Sequence, residues 1–264
     1  MKNQILLAVA VLSLSGTVAH ARGGNEDQFI VSNGRGVSSP SFWNGLEGQN
    51  PAGITANSSM KLQLGAGSLS GTDNVFGSGG LLIGNGVVAA GAEYLSKSTV
   101  GSSNGKLNWG LGGRIQSMNT SIGISSHAVA NGGSPTYDIG LIIDPSSKFR
   151  FGFMIPNFTG TIDTYAAGMT VGVDNSVDVV VDADYSKSAS GGLVKPGLTF
   201  RSQSMQATVA YGFSYSSSST TATTAVLNDK LTIGFGAKLG NSLLFSYEYR
   251  GVVEHRAGLT IRLN

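Results

Sequence analysis

The chain has 264 residues, a formal net charge of +2, no cysteine and only 12% charged residues, about half the usual charged share. The near-neutral balance excludes a polyanionic partner such as nucleic acid, and the missing cysteine leaves no disulfide to staple the fold. The 39 glycines, about twice the usual frequency, suit a strand-rich protein whose apolar face meets something other than water.

Met1-Lys2-Asn3-Gln4, an apolar run from Ile5 to Leu14, and Ala19-His20-Ala21 make a secretory signal peptide over residues 1–21, cleaved after Ala21. The apolar run is too short to span a bilayer as a helix, and no later segment approaches the ~18 apolar residues a membrane helix needs. Residues 22–57 form a separate N-terminal segment without regular alternation. It carries Asn33-Gly34-Arg35-Gly36, Trp43-Asn44-Gly45 and Asn50-Pro51-Ala52-Gly53.

From 58 to 264 the chain repeats one unit, roughly ten residues of alternating apolar and polar character followed by a turn. Leu231-Thr232-Ile233-Gly234-Phe235-Gly236-Ala237-Lys238-Leu239 is the clearest copy. Strand side chains alternate between faces, so each unit has one apolar and one polar face. About fourteen strands are expected, near 59–68, 76–84, 87–96, 106–116, 119–128, 136–144, 147–155, 163–173, 176–186, 192–202, 205–215, 227–239, 242–250 and 254–263. Most have the ~9–11 residues that a tilted strand needs to cross a bilayer, longer than the ~5–6 of a soluble sandwich. Short turns fall at Asn85-Gly86, Met118-Asn119, Asp144-Pro145-Ser146, Asp174-Asn175, Gln203-Ser204 and Gly240-Asn241. They alternate with longer Ser/Gly/Thr links such as Ser96–Gly105, Ala130–Pro135 and Ser216–Asn228. Short turns on one rim and longer loops on the other mark an all-β, transmembrane antiparallel barrel of an outer membrane.

This threading places Tyr94, Trp109, Tyr137, Tyr165, Tyr185, Tyr215 and Tyr249 on the long-loop rim, an aromatic girdle. Leu107, Leu111, Ile115, Ile139, Phe153 and Leu263 face out, while Asn108, Arg114, Asp138, Arg150, Glu248 and Arg262 face the lumen. Lipid penalises charge by several kcal/mol at the midplane, which fixes that assignment. A barrel of this width leaves a space that residues 22–57 would fill as a plug, since Phe42, Trp43 and Leu46 are poor formers of disorder; the alternative is a disordered periplasmic leader.

Three groups are candidates for function. Pro196-Gly197 interrupts strand 192–202, where proline loses a ladder bond and marks a bulge or kink. Asp178, Asp182 and Asp184 share a lumenal face; they could bind a hard cation, anchor Arg22 or Arg35, or pair across the strand, Asp178 with Arg201 and Asp184 with Lys195. Outside the signal peptide His127 and His255 are the available histidines, and neither has an identifiable nucleophile beside it, so no catalytic residue, metal site or cofactor is expected.

Asn50-Pro51-Ala52-Gly53, between an N-terminal segment and the first strand, resembles the NPAG signature of the FadL-type outer-membrane transporters. That resemblance implies a fourteen-stranded barrel with an N-terminal plug, in the outer membrane of a Gram-negative bacterium, importing hydrophobic compounds, with one strand kinked inward to open a lateral path; Pro196-Gly197 would be that lateral kink, or else a local bulge filled by packing. The expected partners are the lipid bilayer and a hydrophobic or lipid-like ligand. Two alternatives stay open. One is a non-conducting structural barrel that homo-oligomerises through small outward residues such as Val88, Ala90 and Ala92 and organises lipid; the other is a general diffusion porin.

Overall fold

The computed structural model describes residues 37, 50–56, 58–69, 75–99, 102–127, 134–216, 231–250 and 254–263. The signal peptide, Arg22, Arg35, Phe42, Trp43, Leu46 and the middles of several longer links lie outside the described residues. One antiparallel sheet closes on itself. Its strands are β1 (Met60–Leu69), β2 (Val75–Gly84), β3 (Val88–Thr99), β4 (Ser102–Ile115), β5 (Thr120–His127), β6 (Thr136–Ile143), β7 (Phe149–Ile155), β8 (Thr164–Gly172) and β9 (Val177–Ser186). They continue as β10 (Gly191–Arg201), β11 (Met205–Tyr211), β12 (Phe213–Ser216), β13 (Leu231–Lys238), β14 (Leu243–Arg250) and β15 (Glu254–Leu263). β11 and β12 are halves of one crossing, so the fifteen strands make a closed fourteen-strand barrel. Closure joins the chain ends: β1 and β15 pair from Met60↔Leu263 to Leu69↔Glu254.

Burial follows the sequence alternation with the sense reversed from a soluble protein. Along β11, Met205, Ala207, Val209 and Tyr211 are exposed while Gln206, Thr208 and Ala210 are buried. Along β9, Asp178, Asp182 and Asp184 are buried and Tyr185 is exposed. Leu107, Leu111, Ile122, Phe153, Val209 and Ile233 stand outward and exposed. An apolar belt around a polar interior is stable only against hydrocarbon, so this is a transmembrane barrel.

Local chemistry sets the short turns. Asn85 Oδ1 accepts from the N–H groups of Val87 and Val88 at 2.9 and 2.8 Å, and Gly86 takes φ of 81°. Asp174 Oδ1 does the same for Ser176 and Val177 at 2.6 and 2.8 Å. Asn119 and Gly240, with φ of 47° and 83°, supply the left-handed residue in two more. A 3-10 turn, Gln116–Met118, precedes Asn119. One expected link is corrected. Ser96–Gly105 is mostly strand, because β3 and β4 stay paired out to Thr99↔Ser102. A ladder beyond the lipid needs only backbone partners, so Ser, Thr and Asn extend it without apolar alternation.

The sidedness gives a direct test. Leu111→Arg sits on the outward face, half exposed to lipid. It should lower folding stability in vesicles by about 2–4 kcal/mol, read from urea titration of the tryptophan emission. Wild-type stability in that variant would overturn the assignment of faces.

Candidate functional site

Asn50-Pro51-Ala52-Gly53 opens a 3-10 turn, Pro51–Ala56, buried from Pro51 to Thr55. The local sequence favours it. Proline pre-sets φ for a first helical position, Asn50 Oδ1 accepts from the Ala52 N–H at 3.1 Å, and the Gly53 N–H donates to the Asn50 carbonyl at 3.0 Å. The Asn50 side-chain amide then donates outward, to the carbonyls of Val37 at 2.7 Å and of Leu141 and Phe153 at 3.1 Å each. Leu141 and Phe153 face each other across β6 and β7, so the amide sits over that seam.

The wall beneath the turn is cut away to receive it. Gly112 faces Gly123 across β4–β5, and Gly123 faces Gly140 across β5–β6. A Cβ on Gly112 would stand 2.5 Å from Ile54 Cγ2; one on Gly123 would enter the Pro51–Ala52 peptide, and one on Gly140 would enter the Asn50 amide. The row continues on both sides. Ala89 faces Gly112 and packs with Ile54 and Leu82. Met154 faces Gly140 and packs with Ala166 and Val37. Thr55 completes the seat with its hydroxyl 2.8 Å from that of Ser121.

The charged residues line the lumen around this turn. Asp178 pairs with Arg201. Asp144 bridges Arg150 at 2.6 Å and Arg114 at 3.4 Å. The expected register of β9 with β10 is corrected by two residues: Asp178 faces Thr199 and reaches Arg201 diagonally, Lys195 faces Asp182, and Asp184 faces Leu193, whose N–H it accepts at 3.0 Å. The cause is the hairpin, since Ser186 pairs with Gly191 around residues 187–190. Among the described residues no group of three or more His, Asp or Glu is placed to hold a metal ion.

At Pro196 the register with β9 is unbroken through Lys195↔Asp182, Pro196↔Val181 and Gly197↔Val180. No residue is inserted, so the anticipated bulge is absent from β10. The interruption lies on the opposite strand. Pairing stops after Gly197↔Ala210 and resumes at Val194↔Phe213, which leaves Tyr211 and Gly212 off the ladder with β10. Proline has no N–H to give there, and this missing donor explains the gap. Lys195 bridges it from inside, reaching past β11 to the Thr232 hydroxyl on β13 at 2.5 Å. On the lipid side the Tyr211 and Phe213 rings meet edge-on at 5.1 Å.

Tyr94, Trp109, Tyr165, Tyr185 and Tyr215 are exposed near the long-loop ends of their strands. Tyr137 and Tyr249 lie at the same level, half-buried. Three form one lateral row: Tyr165 faces Tyr185, which faces Gly192, which faces Tyr215. Tyr215 crosses Gly192 to donate to the Asp184 carbonyl at 2.9 Å. Above this row the loop carboxylate of Asp163 accepts from the Ser186 hydroxyl at 2.6 Å and the Ser188 N–H at 2.7 Å, which hold its pKa below the usual value.

One grouping escaped the sequence. Ser125 Oγ and Asp138 Oδ2 lie 3.3 and 2.9 Å from His127 Nε2, all three buried. A catalytic triad needs its serine and its aspartate on different ring nitrogens. Here both meet Nε2 and Nδ1 has no protein partner, so the arrangement is a structural clasp on β5 and β6. Beside it Asn108, fully buried and facing His127, has both amide atoms without a protein partner, as has Gln63 Nε2. These atoms leave hydrogen-bonding capacity on the lumenal wall open to water or to a polar solute group.

The seat is testable with a cysteine pair, because the chain has no cysteine of its own. Ile54→Cys with Ala89→Cys should form a disulfide in the folded barrel. Gly123→Val, an overpacking substitution that costs about 1–3 kcal/mol, should cut the cross-linking yield. An unchanged yield would mean the turn does not use the glycine track.

No family model and no curated protein matches the sequence. Solved structures do. A FadL homologue of Pseudomonas aeruginosa superposes with a TM-score of 0.56 at 9% identity, over 89% of this chain and 100% of that one. A deltaS2S3 mutant of TodX, a monoaromatic hydrocarbon channel, superposes with a TM-score of 0.55 at 9% identity, over 80% of this chain and 92% of that one. At that identity the likeness is one of architecture: the chain has the fold of the FadL-type outer-membrane barrels.

Proposed function

We propose that the protein is an outer-membrane transport barrel that passes small hydrophobic or amphipathic molecules, with its N-terminal turn as the internal obstruction. The observation that carries this reading is the seat itself. A turn held by three amide contacts on a wall stripped of side chains is a built obstruction, which a permanently open pore has no use for. The lumenal wall offers both apolar and hydrogen-bonding surface, as an amphipathic solute requires. Pro196 and the gap opposite it are the candidate lateral exit, because a missing stretch of ladder is the easiest place for a wall to part.

Uptake of a labelled aromatic hydrocarbon and a labelled medium-chain fatty acid by cells with and without the protein tests this reading. Uptake should drop on deletion, stay low with the Ile54→Cys/Ala89→Cys pair oxidised, and recover with reductant. Uptake that ignores both changes would sink the proposal, and steady large conductance in planar bilayers would favour a general pore.

A second reading has its own observation. Gly77, Gly79, Ala90, Ala92 and Gly113 are small positions on the outward face of β2–β4, set as notches between Leu81, Ile83, Tyr94, Trp109 and Leu111, and a Cβ on Gly113 would meet nothing within 4 Å. Small residues let membrane segments approach closely, which suits a barrel that pairs with copies of itself. A strictly monomeric native mass in mild detergent would remove this reading.

A further inference from the structure

One register row faces the lumen on the long-loop side of the seated turn. Gln63 faces Gly80, Gly80 faces Glu93, Glu93 faces Asn108, and Asn108 faces His127. Asn108 lies four residues from Gly112 of the seat, about 13 Å along the strand. In the pleat between them Gly91 and Gly110 face each other and carry no side chain. Leu82 faces Gly91 and packs with Ile54 of the turn, so apolar surface lies on the seat side of the row.

The row holds polar atoms that the protein leaves unbonded. Asn108 is 0% exposed, yet neither Nδ2 nor Oδ1 has a protein partner. His127, 9% exposed, leaves Nδ1 without one, and Gln63, 8% exposed, leaves Nε2 without one. Burying a donor or acceptor unbonded is costly, so these side chains call for an occupant that bonds them.

The atoms specify its chemistry. His127 Nε2 lies 2.9 Å from the Asp138 carboxylate. An ionised carboxylate only accepts, so Nε2 carries the proton and Nδ1 of the neutral ring accepts. Asn108 Oδ1 accepts too, while Nδ2 donates. Across β4–β5 the wall therefore asks one small group for two donors and one acceptor. A carboxylate brings only acceptors, an ammonium only donors, and a hydrocarbon neither. A primary carboxamide matches: its carbonyl accepts from Nδ2, one N–H donates to Oδ1 and the other to Nδ1. Two adjacent hydroxyls match in the same way.

We propose that Asn108 and His127 form a lumenal site for a neutral group that both donates and accepts hydrogen bonds, a carboxamide or a vicinal diol. The group is the polar end of an amphipathic solute whose apolar body lies over Gly91 and Gly110. The inference rests on the transport reading for its purpose, but binding to the purified barrel and uptake by cells are read separately, so either can fail without the other.

The experiment uses the full-length barrel in an uncharged maltoside detergent and a set of probes sharing one ring: benzamide, catechol, toluene, benzoate and benzylamine. Each is titrated by NMR, with uptake into empty micelles subtracted. Benzamide or catechol should bind at least about tenfold more tightly than the other three, because only they pair the buried donor and both acceptors. The tighter of the two names the source of the chemistry. This ranking needs no variant. Asn108→Leu, which exchanges the amide for an apolar side chain of similar size, should abolish the preference and leave toluene unchanged. Thr208→Val, on the lumenal face of β11, should keep it. Toluene, benzoate or benzylamine binding as tightly as benzamide and catechol would leave ordered water as the occupant and overturn the proposal. Wild-type preference in Asn108→Leu would overturn it as well.

Discussion

Hydrocarbon offers no hydrogen bonds, so every peptide group in this wall must find its partner in the wall itself. That requirement explains the closure between the two chain ends, and it makes the places where pairing thins out informative. Two are visible. The β6–β7 seam carries five register pairs, the fewest among the described crossings, and it is here that the Asn50 amide lies across two facing carbonyls. The other is the break opposite Pro196, where Lys195 spans the lumenal side to Thr232. In both cases a polar group from inside the barrel attends the weak point.

The same alternation that hides charge from lipid gives the protein two independent surfaces. The outer one is generic: Leu, Ile, Val and Phe in a belt, with tyrosines toward the long-loop rim. The inner one is specific. It carries the glycine track, the bridged carboxylates, and the orphaned amide atoms of Asn108 and Gln63. Whatever distinguishes this barrel from others of its architecture is written on the inner surface.

Much of the wall was legible from residue order. Alternation and turn residues placed fourteen crossings to within a few residues, because period-two burial and Asx-type turns are both short-range signals. Four things were not legible, each for a physical reason. The register of β9 with β10 was off by two because hairpin length, fixed by residues 187–190, decides which residues meet. The break fell at Tyr211–Gly212 and not in β10, since a missing donor on Pro196 is felt by its partner strand. The seat of the turn escaped entirely. Gly112, Gly123 and Gly140 read as ordinary strand glycines, and only their alignment across three strands reveals a surface shaped by absent side chains. The Ser125–His127–Asp138 clasp likewise depends on register between β5 and β6.

The short connection between the turn and the first strand has one more consequence. Ala56 is four residues from Met60, a reach of at most about 14 Å for extended chain. The C-terminal end of the turn lies closer to β1 than its Asn50 end does: Ile54 packs with Leu82 on β2 and Ala89 on β3, and Leu82 faces Lys61, so the gap is one to two strand spacings, about 5–10 Å. The leash therefore has a few ångströms to spare on its C-terminal side. The turn cannot swing free into the periplasm while β1 stays in the barrel. The tether keeps the turn within about 14 Å of the first residue of β1, so any motion that clears its bed on β4–β6 carries it toward β1 and β2.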